Sequence, residues 1–233
     1  MMTAPTPPSV AWLLHLNALV GGMFLLTSFG LVAIRQVQGC VRLYVLQSVL
    51  LAASALLLGA LLQTWHLYAV GVLDVVSKAV LIPLLLRRSL HDEIHMRREI
   101  TQVFNIPTAL LLALALAITA FFLSGPMLAE APHDPAAGVN LPIGLAGLFL
   151  GGLTAVARRE AVPLLLGLLS MESAAFFAGM ALAPELPLMA EVSVAFDVLV
   201  LVFVVGVLTR AVHERTGTTA VGAMTTLREG PSV

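Results

Sequence analysis

The fold is decided by residues 187–210, PLMAEVSVAFDVLVLVFVVGVLTR, which form a run long and apolar enough to cross a lipid bilayer. This run nevertheless carries two carboxylates, Glu191 and Asp197. A charge at the bilayer centre costs about 2.5–3.5 kcal/mol on insertion scales, so such residues usually face a bundle interior or a water-filled path. We therefore expect these acids to have a function inside the membrane.

The composition of the chain indicates an integral membrane protein. Of its 233 residues, 59% are hydrophobic and only 11% are charged, whereas soluble domains carry about 25% charged residues. The net charge of −1 gives no reason to expect a nucleic-acid partner. The single cysteine, Cys40, excludes an intrachain disulfide and a cysteine cluster for zinc or iron–sulfur. Because the first residues lack Lys and Arg, we interpret the first apolar run as a retained span rather than a signal peptide.

Seven apolar runs are long enough to span a bilayer as helices, at roughly 11–33, 42–63, 66–86, 103–123, 140–157, 162–183 and 187–209. The runs are continuously apolar, which excludes a membrane β-barrel. All arginines fall on one side of this arrangement: Arg35, Arg42, Arg87, Arg88, Arg97, Arg98, Arg158, Arg159, Arg210, Arg215 and Arg228. The positive-inside rule therefore predicts an all-α, seven-span protein of a bacterial or archaeal plasma membrane, with its N-terminus outside and its C-terminus in the cytoplasm.

Spans three and seven resemble each other, which suggests an internal repeat. Asp74 and Asp197 stand at corresponding places in these spans, and Arg87 and Arg210 each follow thirteen residues later. We predict two parallel three-helix units, 1–101 and 140–233, joined by a linking segment, 102–139, that contains span four. The alternative is that any two apolar helices ending in Arg look alike.

Three further ionisable residues lie within other parts of the spans. Asp74 and Lys78 are four residues apart, so they share a helix face and can pair. The pair is either a self-neutralising device for insertion or a titratable switch. Glu172 has no cation within its own helix turn, so it is either protonated or paired across helices. Glu191 and Asp197 are about 240° apart around their helix and face different neighbours.

We expect no bound cofactor or metal. His15 and His66 are the thin candidates for axial haem ligands, and interfacial histidine is the simpler interpretation. Gln47 is interpreted as a hydrogen-bonding contact between helices. The glycines of span five predict a close helix contact, and they are Gly144, Gly147, Gly151 and Gly152. Pro83 is expected to kink span three.

The C-terminal part, 141–229, is similar to the small membrane subunit K of respiratory complex I and to its small counterpart in the multisubunit cation/proton antiporters. The similarity is carried by Arg158–Arg159 before a span containing Glu172, and then by AEVSV at 190–194. In that family, glutamates on two successive helices belong to a proton-conducting polar axis. Glu191 matches the second of them. Glu172 departs from the pattern, since the first would fall near Leu169, one helical turn away.

Most of the chain resembles component E of hydrogenase-4, through the sequence MES at 171–173 and the Asp six residues after the Glu on span seven. This resemblance implies a non-catalytic membrane subunit, held between hydrogenase-arm and antiporter-like membrane subunits. It also implies a proton pathway made of Asp74, Lys78, Glu172, Glu191 and Asp197.

Three other interpretations remain open or weak. The first is a subunit of a monovalent cation/proton antiporter without redox partners. A retinal protein is disfavoured because it requires a lysine on span seven, and the only lysine is Lys78. The third is a scaffold in which every buried charge is structural.

Overall fold

Helices make up nearly all of the part of the chain that the computed structural model describes, which is residues 8–81, 84, 105–130, 137–182 and 206. Six α-helices and one π-helical segment follow in order: α1 Pro8–Ala33, α2 Val37–Leu62, α3 Trp65–Asp74, the π segment Val75–Leu81, α4 Ile106–Glu130, α5 Ala137–Ala157 and α6 Ala161–Leu182. Five of them, all but α3, are long and apolar enough to cross a membrane. The all-α membrane architecture is therefore confirmed, while the number of spans and their orientation stay predictions.

Two helix ends differ from the sequence-based bounds. Helix α2 begins at Val37, five residues earlier than expected, because Arg42 lies on an exposed side of the helix and does not interrupt it. Helix α4 continues through Pro126 to Glu130, although a loop was predicted from Ser124 onward. Membrane helices tolerate internal proline where neighbouring groups satisfy the freed carbonyl, and the apolar residues that follow Pro126 extend the run.

The prediction of one continuous helix over 66–86 is wrong in its geometry. The α-helix ends at Asp74 and is followed by a π-helical segment, Val75–Leu81. In a π turn the backbone bonds run from residue i to i+5, so the turn is wider than in an α-helix. The expected kink at Pro83 lies outside the described residues.

Helix α5 lies in the interior of the bundle and α4 at its edge. The most apolar window of α5 is 67% buried, against 22% for α4. Helix α5 packs against α1, α4 and α6, and α2 packs against α1, α3 and α6. The expected close contact of span five is confirmed at Gly144 and Gly151, where an added Cβ would lie 2.4 Å from the Ala178 nitrogen and 2.6 Å from the Met171 nitrogen.

The arginine-rich end of the bundle is tied together by a buried arginine. The Nη2 atom of Arg158 donates hydrogen bonds to the carbonyl oxygens of Leu31 at 2.8 Å, Val32 at 3.1 Å and Ile34 at 2.7 Å. These carbonyls belong to the end of α1 and the residue after it, where helical carbonyls lack partners within the helix. Burial lowers the pKa of Arg158, although a guanidinium stays charged in proteins. Arg158 therefore fixes α5 to α1.

Candidate functional site

One ammonium group joins two carboxylates from different parts of the bundle. The Nζ atom of Lys78 lies 3.1 Å from Oδ1 of Asp74 and 2.9 Å from Oε1 of Glu172. The expected pairing of Asp74 with Lys78 is therefore present. Of the two states expected for Glu172, the structure has the one in which it is paired across helices. We call these three residues the carboxylate–lysine triad.

The π segment and helix α2 position the lysine. Lys78 lies in the middle of the wide π turns, and such local insertions occur frequently at functional sites. Helix α2 contacts α3, the π segment and α6, so it holds the two carboxylate-bearing elements beside each other. At Gly71 an added Cβ would lie 3.1 Å from the Ala52 carbonyl oxygen of α2. The glycine thus permits a close approach of α3 just before Asp74.

The triad is buried, and its formal charges do not cancel. The side chains of Lys78 and Asp74 are 5% and 7% exposed, and that of Glu172 is 22% exposed. With both acids ionised, the triad carries a net charge of −1. The Lys78 ammonium also lies 5.9 Å from the centre of the Phe176 ring, near the outer limit for a cation–π contact. One added proton would make the triad electrically neutral.

The depth of the triad follows from its helix positions. Glu172 is eleven residues after Ala161, the first residue of α6, and ten before Leu182, the last. At a rise of 1.5 Å per residue, both ends are about 15–16 Å away. Glu172 therefore lies at the middle of a helix of membrane-spanning length, where an unneutralised charge is most costly.

Each carboxylate keeps one oxygen that makes no hydrogen bond. Asp74 Oδ2 and Glu172 Oε2 are buried and have no hydrogen-bonding partner in the described part of the chain. A carboxylate oxygen in this state can accept a proton or a hydrogen bond from water. The triad can therefore hold one proton on either acid while the lysine stays bound to both.

A second polar cluster was missed by the sequence analysis. Asn17 of α1 donates through Nδ2 to Asn140 Oδ1 of α5 at 2.8 Å, Ser54 of α2 donates through Oγ to Asn17 Oδ1 at 2.7 Å, and Asn140 Nδ2 approaches Ser54 Oγ at 3.4 Å. We call these residues the Asn–Ser cluster. The available signal was an asparagine inside each of two apolar runs. The expected interhelical role of Gln47 is confirmed, since its Nε2 atom donates to Ser28 Oγ at 2.9 Å.

Several predicted residues lie outside the site that the structure describes. Glu191 and Asp197 fall outside the described residues, as does the side chain of His66, while His15 is exposed on α1. Within the described ranges, no group of three His, Cys, Asp or Glu side chains could hold a metal ion. The described site thus comprises three of the five residues predicted for a proton pathway.

A mycobacterial protein is similar to this chain over most of its length. The uncharacterized protein Rv0085 of Mycobacterium tuberculosis is 31% identical over 189 residues, covering 81% of this chain and 84% of that protein. This chain belongs to the family of that mycobacterial protein. No family model matches the chain, and no solved structure matches it. The resemblance to component E of hydrogenase-4 is not tested by these comparisons.

Proposed function

We propose that this protein is a non-catalytic membrane subunit of a proton-translocating, hydrogenase-4-like oxidoreductase complex. Its part in this complex is to supply intramembrane groups that take up and release protons. The proposal is supported by the carboxylate–lysine triad, in which Lys78 joins Asp74 and Glu172 at the middle of the bundle. Glu191 and Asp197 are proposed as further members of the pathway because of the sequence resemblance.

The charge of the triad provides the chemical reason for this proposal. Two ionised acids and one ammonium leave one negative charge in a region of low dielectric, and binding one proton removes it. The unpartnered oxygens, Asp74 Oδ2 and Glu172 Oε2, are the places for that proton. A change in the potential around the triad, such as a charge moving in a neighbouring subunit, would shift the balance between the loaded and unloaded states.

A purely structural ion pair would not need this arrangement. Asp74 and Lys78 alone neutralise each other within one helix turn. The addition of Glu172 restores a net charge and adds a buried acid, which is costly unless the acid has a use. This cost favours proton transfer over the scaffold interpretation.

We also propose the two parallel three-helix units. They are supported by the contacts of α1 with α5 and of α2 with α6, which are the helix pairs that the repeat equates. Asn17 and Asn140, which bond to each other, are 123 residues apart, the same separation as in the sequence pairs Asp74 with Asp197 and Arg87 with Arg210. A structure of the intact complex that relates the units by a two-fold axis along the membrane normal would support this, and an inverted relation would contradict it.

The proposed partners are antiporter-like and hydrogenase-arm membrane subunits, and purification of the intact complex tests this. The tagged chain is extracted in mild detergent from its native membrane, and the co-purifying proteins are identified by mass spectrometry. We expect antiporter-like subunits together with the subunits of an oxidoreductase. Antiporter-like subunits without an oxidoreductase would support the second candidate, a cation/proton antiporter subunit. A chain that purifies alone in every detergent tested would contradict both candidates.

A further inference from the structure

Four buried side chains beside the triad carry oxygen atoms without hydrogen-bonding partners in the described part of the protein. These atoms are Tyr44 Oη, Gln47 Oε1, Ser170 Oγ and Ser173 Oγ. All four residues are 0% exposed. We call them the α2–α6 polar group, because two lie on α2 and two on α6.

The members of this group face one another and the triad. Tyr44 and Gln47 are three residues apart and share a face of α2, and Ser170 and Ser173 do the same on α6. Helices α2 and α6 are in contact. The Tyr44 hydroxyl lies close to the Ser173 hydroxyl and within electrostatic range of Asp74 and Glu172. The unpartnered oxygens of the two acids and of the polar group therefore line one buried region.

Unsatisfied polar atoms at this depth require a partner. Each costs several kcal/mol in a bilayer interior, where bulk water does not reach it. A buried water molecule typically makes about three hydrogen bonds to groups of this kind. Hydroxyl groups both donate and accept, so the mixture of tyrosine, serine, amide and carboxylate oxygens suits water. A sodium ion is disfavoured because the Lys78 ammonium already lies between the two carboxylates and repels a second cation.

The region is closed by apolar side chains toward the arginine-rich end of the bundle. Tyr44 belongs to a cluster of buried residues whose other members are Leu31, Val37, Cys40, Val41, Val162, Leu165, Leu166 and Leu169. Seven of these eight belong to the first turns of α2 and α6, between Tyr44 and the helix ends near Arg158. Tightly packed apolar constrictions of this kind stop water.

We propose that the α2–α6 polar group binds a small cluster of ordered water molecules next to Glu172, and that the apolar cluster below Tyr44 closes this cluster toward the arginine-rich side. The inference rests on the proposed function, since this water is the group with which Glu172 exchanges its proton. Protons then reach the triad from the other side of the bundle or sideways from neighbouring helices. The presence of the water is measurable without any assay of proton movement.

Hydroxyl-radical footprinting of the native complex in lipid nanodiscs tests the proposal. X-rays generate radicals from water, and a buried side chain is oxidised only where water lies beside it. Tyr44 and Phe24 are equally buried, and Phe24 stacks on Phe177 in apolar surroundings. We expect Tyr44 to be oxidised about tenfold faster than Phe24, because ordered water is bound beside only one of them. Exposed Tyr68 gives the upper reference rate.

Variants show whether the polar group holds the water. Ser173→Val and Gln47→Leu are expected to lower the oxidation rate of Tyr44 severalfold. Thr119→Val, which makes the same hydroxyl-to-methyl change on an exposed face of α4, should leave it unchanged. Oxidation of Tyr44 at the slow rate of Phe24 would overturn the inference. A fall in Tyr44 oxidation when sodium replaces choline in the buffer would also overturn it, by showing that a cation occupies the region. If Tyr44 is oxidised while Glu172→Gln transports protons normally, the water cluster stands and the proposed function fails.

Discussion

Two polar clusters lie buried in the same helix bundle, and they differ in how completely their groups are satisfied. In the Asn–Ser cluster, Asn17, Ser54 and Asn140 are neutral, almost fully buried and bonded to one another. In the triad, Asp74, Lys78 and Glu172 carry an uneven number of charges, and two oxygens lack partners in the part of the chain that the structure describes.

The difference separates a structural contact from a site that can change its state. A closed set of neutral hydrogen bonds has no proton to gain or lose near neutral pH, so it only holds α1, α2 and α5 together. The triad becomes neutral by binding one proton, so its lowest-energy state depends on the surrounding potential and on pH. The expectations below break one cluster at a time and compare stability with proton translocation.

The largest effect is expected from Lys78→Met, which removes the group shared by both carboxylates. It leaves two acids buried together without a cation, and breaking a buried pair in this way costs about 3–5 kcal/mol. The free energy of unfolding in nanodiscs measures the loss. The double variant Lys78→Met with Glu172→Gln should recover part of it, because one of the orphaned charges is gone. Equal stability of the single variant and the natural protein would show that the ion pairs contribute nothing.

A smaller effect is expected from Gly151→Ala, which displaces α6 next to Glu172 and leaves the Asn–Ser cluster intact. The new Cβ would lie 2.6 Å from the Met171 nitrogen, and such overpacking costs about 1–3 kcal/mol. Proton translocation should fall as well, because Glu172 follows Met171 directly. Gly152→Ala is the matched control, since its Cβ would meet only the end of the flexible Met171 side chain, at 3.6 Å. Similar losses in both variants would contradict this packing argument.

Asn140→Leu is expected to lower stability without lowering proton translocation. Side-chain hydrogen bonds between membrane helices contribute about 0.6 kcal/mol on average and at most about 1.7 kcal/mol, so the loss should lie in this range. Replacing Asn17 by Leu in the same chain should cost little more, because removing both partners leaves fewer unsatisfied groups. A loss of translocation in the stable double variant would mean that the Asn–Ser cluster also takes part in proton transfer.

The positions of the two clusters relative to the cytoplasm follow from cysteine labelling, which need not change stability at all. In a Cys40→Ala background, Gly138→Cys at the start of α5 and Gln38→Cys in the first turn of α2 are both exposed, and a Cβ at 138 meets nothing within 4 Å. The positive-inside rule predicts that a membrane-impermeant maleimide labels Gly138→Cys from outside and Gln38→Cys only after the membrane is opened. The reverse pattern would invert the proposed orientation.

The sequence predicted the members of the triad, and it could not predict their distances. Asp74 and Lys78 were visible because four residues place two side chains on one helix face. Glu172 was visible as a charge in an apolar run, but its pairing with Lys78 depends on how α2 and α6 cross, which no local pattern encodes. The switch to a π segment after Asp74 carries no sequence signal comparable to a proline or a capping residue.

The extent of the helices was predicted less well where a charge or a turn signal stood near an end. Arg42 marked an end that α2 ignores, and Ser124–Gly125–Pro126 indicated a turn that α4 does not make. In both places the apolar neighbours continue the helix, and the energy of burying backbone groups in a membrane outweighs the local preference. Arg158 was read only as a marker of orientation, although it also binds the carbonyls that end α1.

The most direct test of the central claim is Glu172→Gln, assayed in the intact complex for proton translocation and for unfolding free energy in the same preparation. The amide still accepts a hydrogen bond from Lys78 but cannot take up the proton. We expect translocation to fall about a hundredfold, as the loss of a proton-transfer group typically does, while the unfolding free energy changes by less than about 1 kcal/mol, because Asp74 and Lys78 remain paired. Translocation at the natural rate in this stable variant would contradict the claim that Glu172 carries protons.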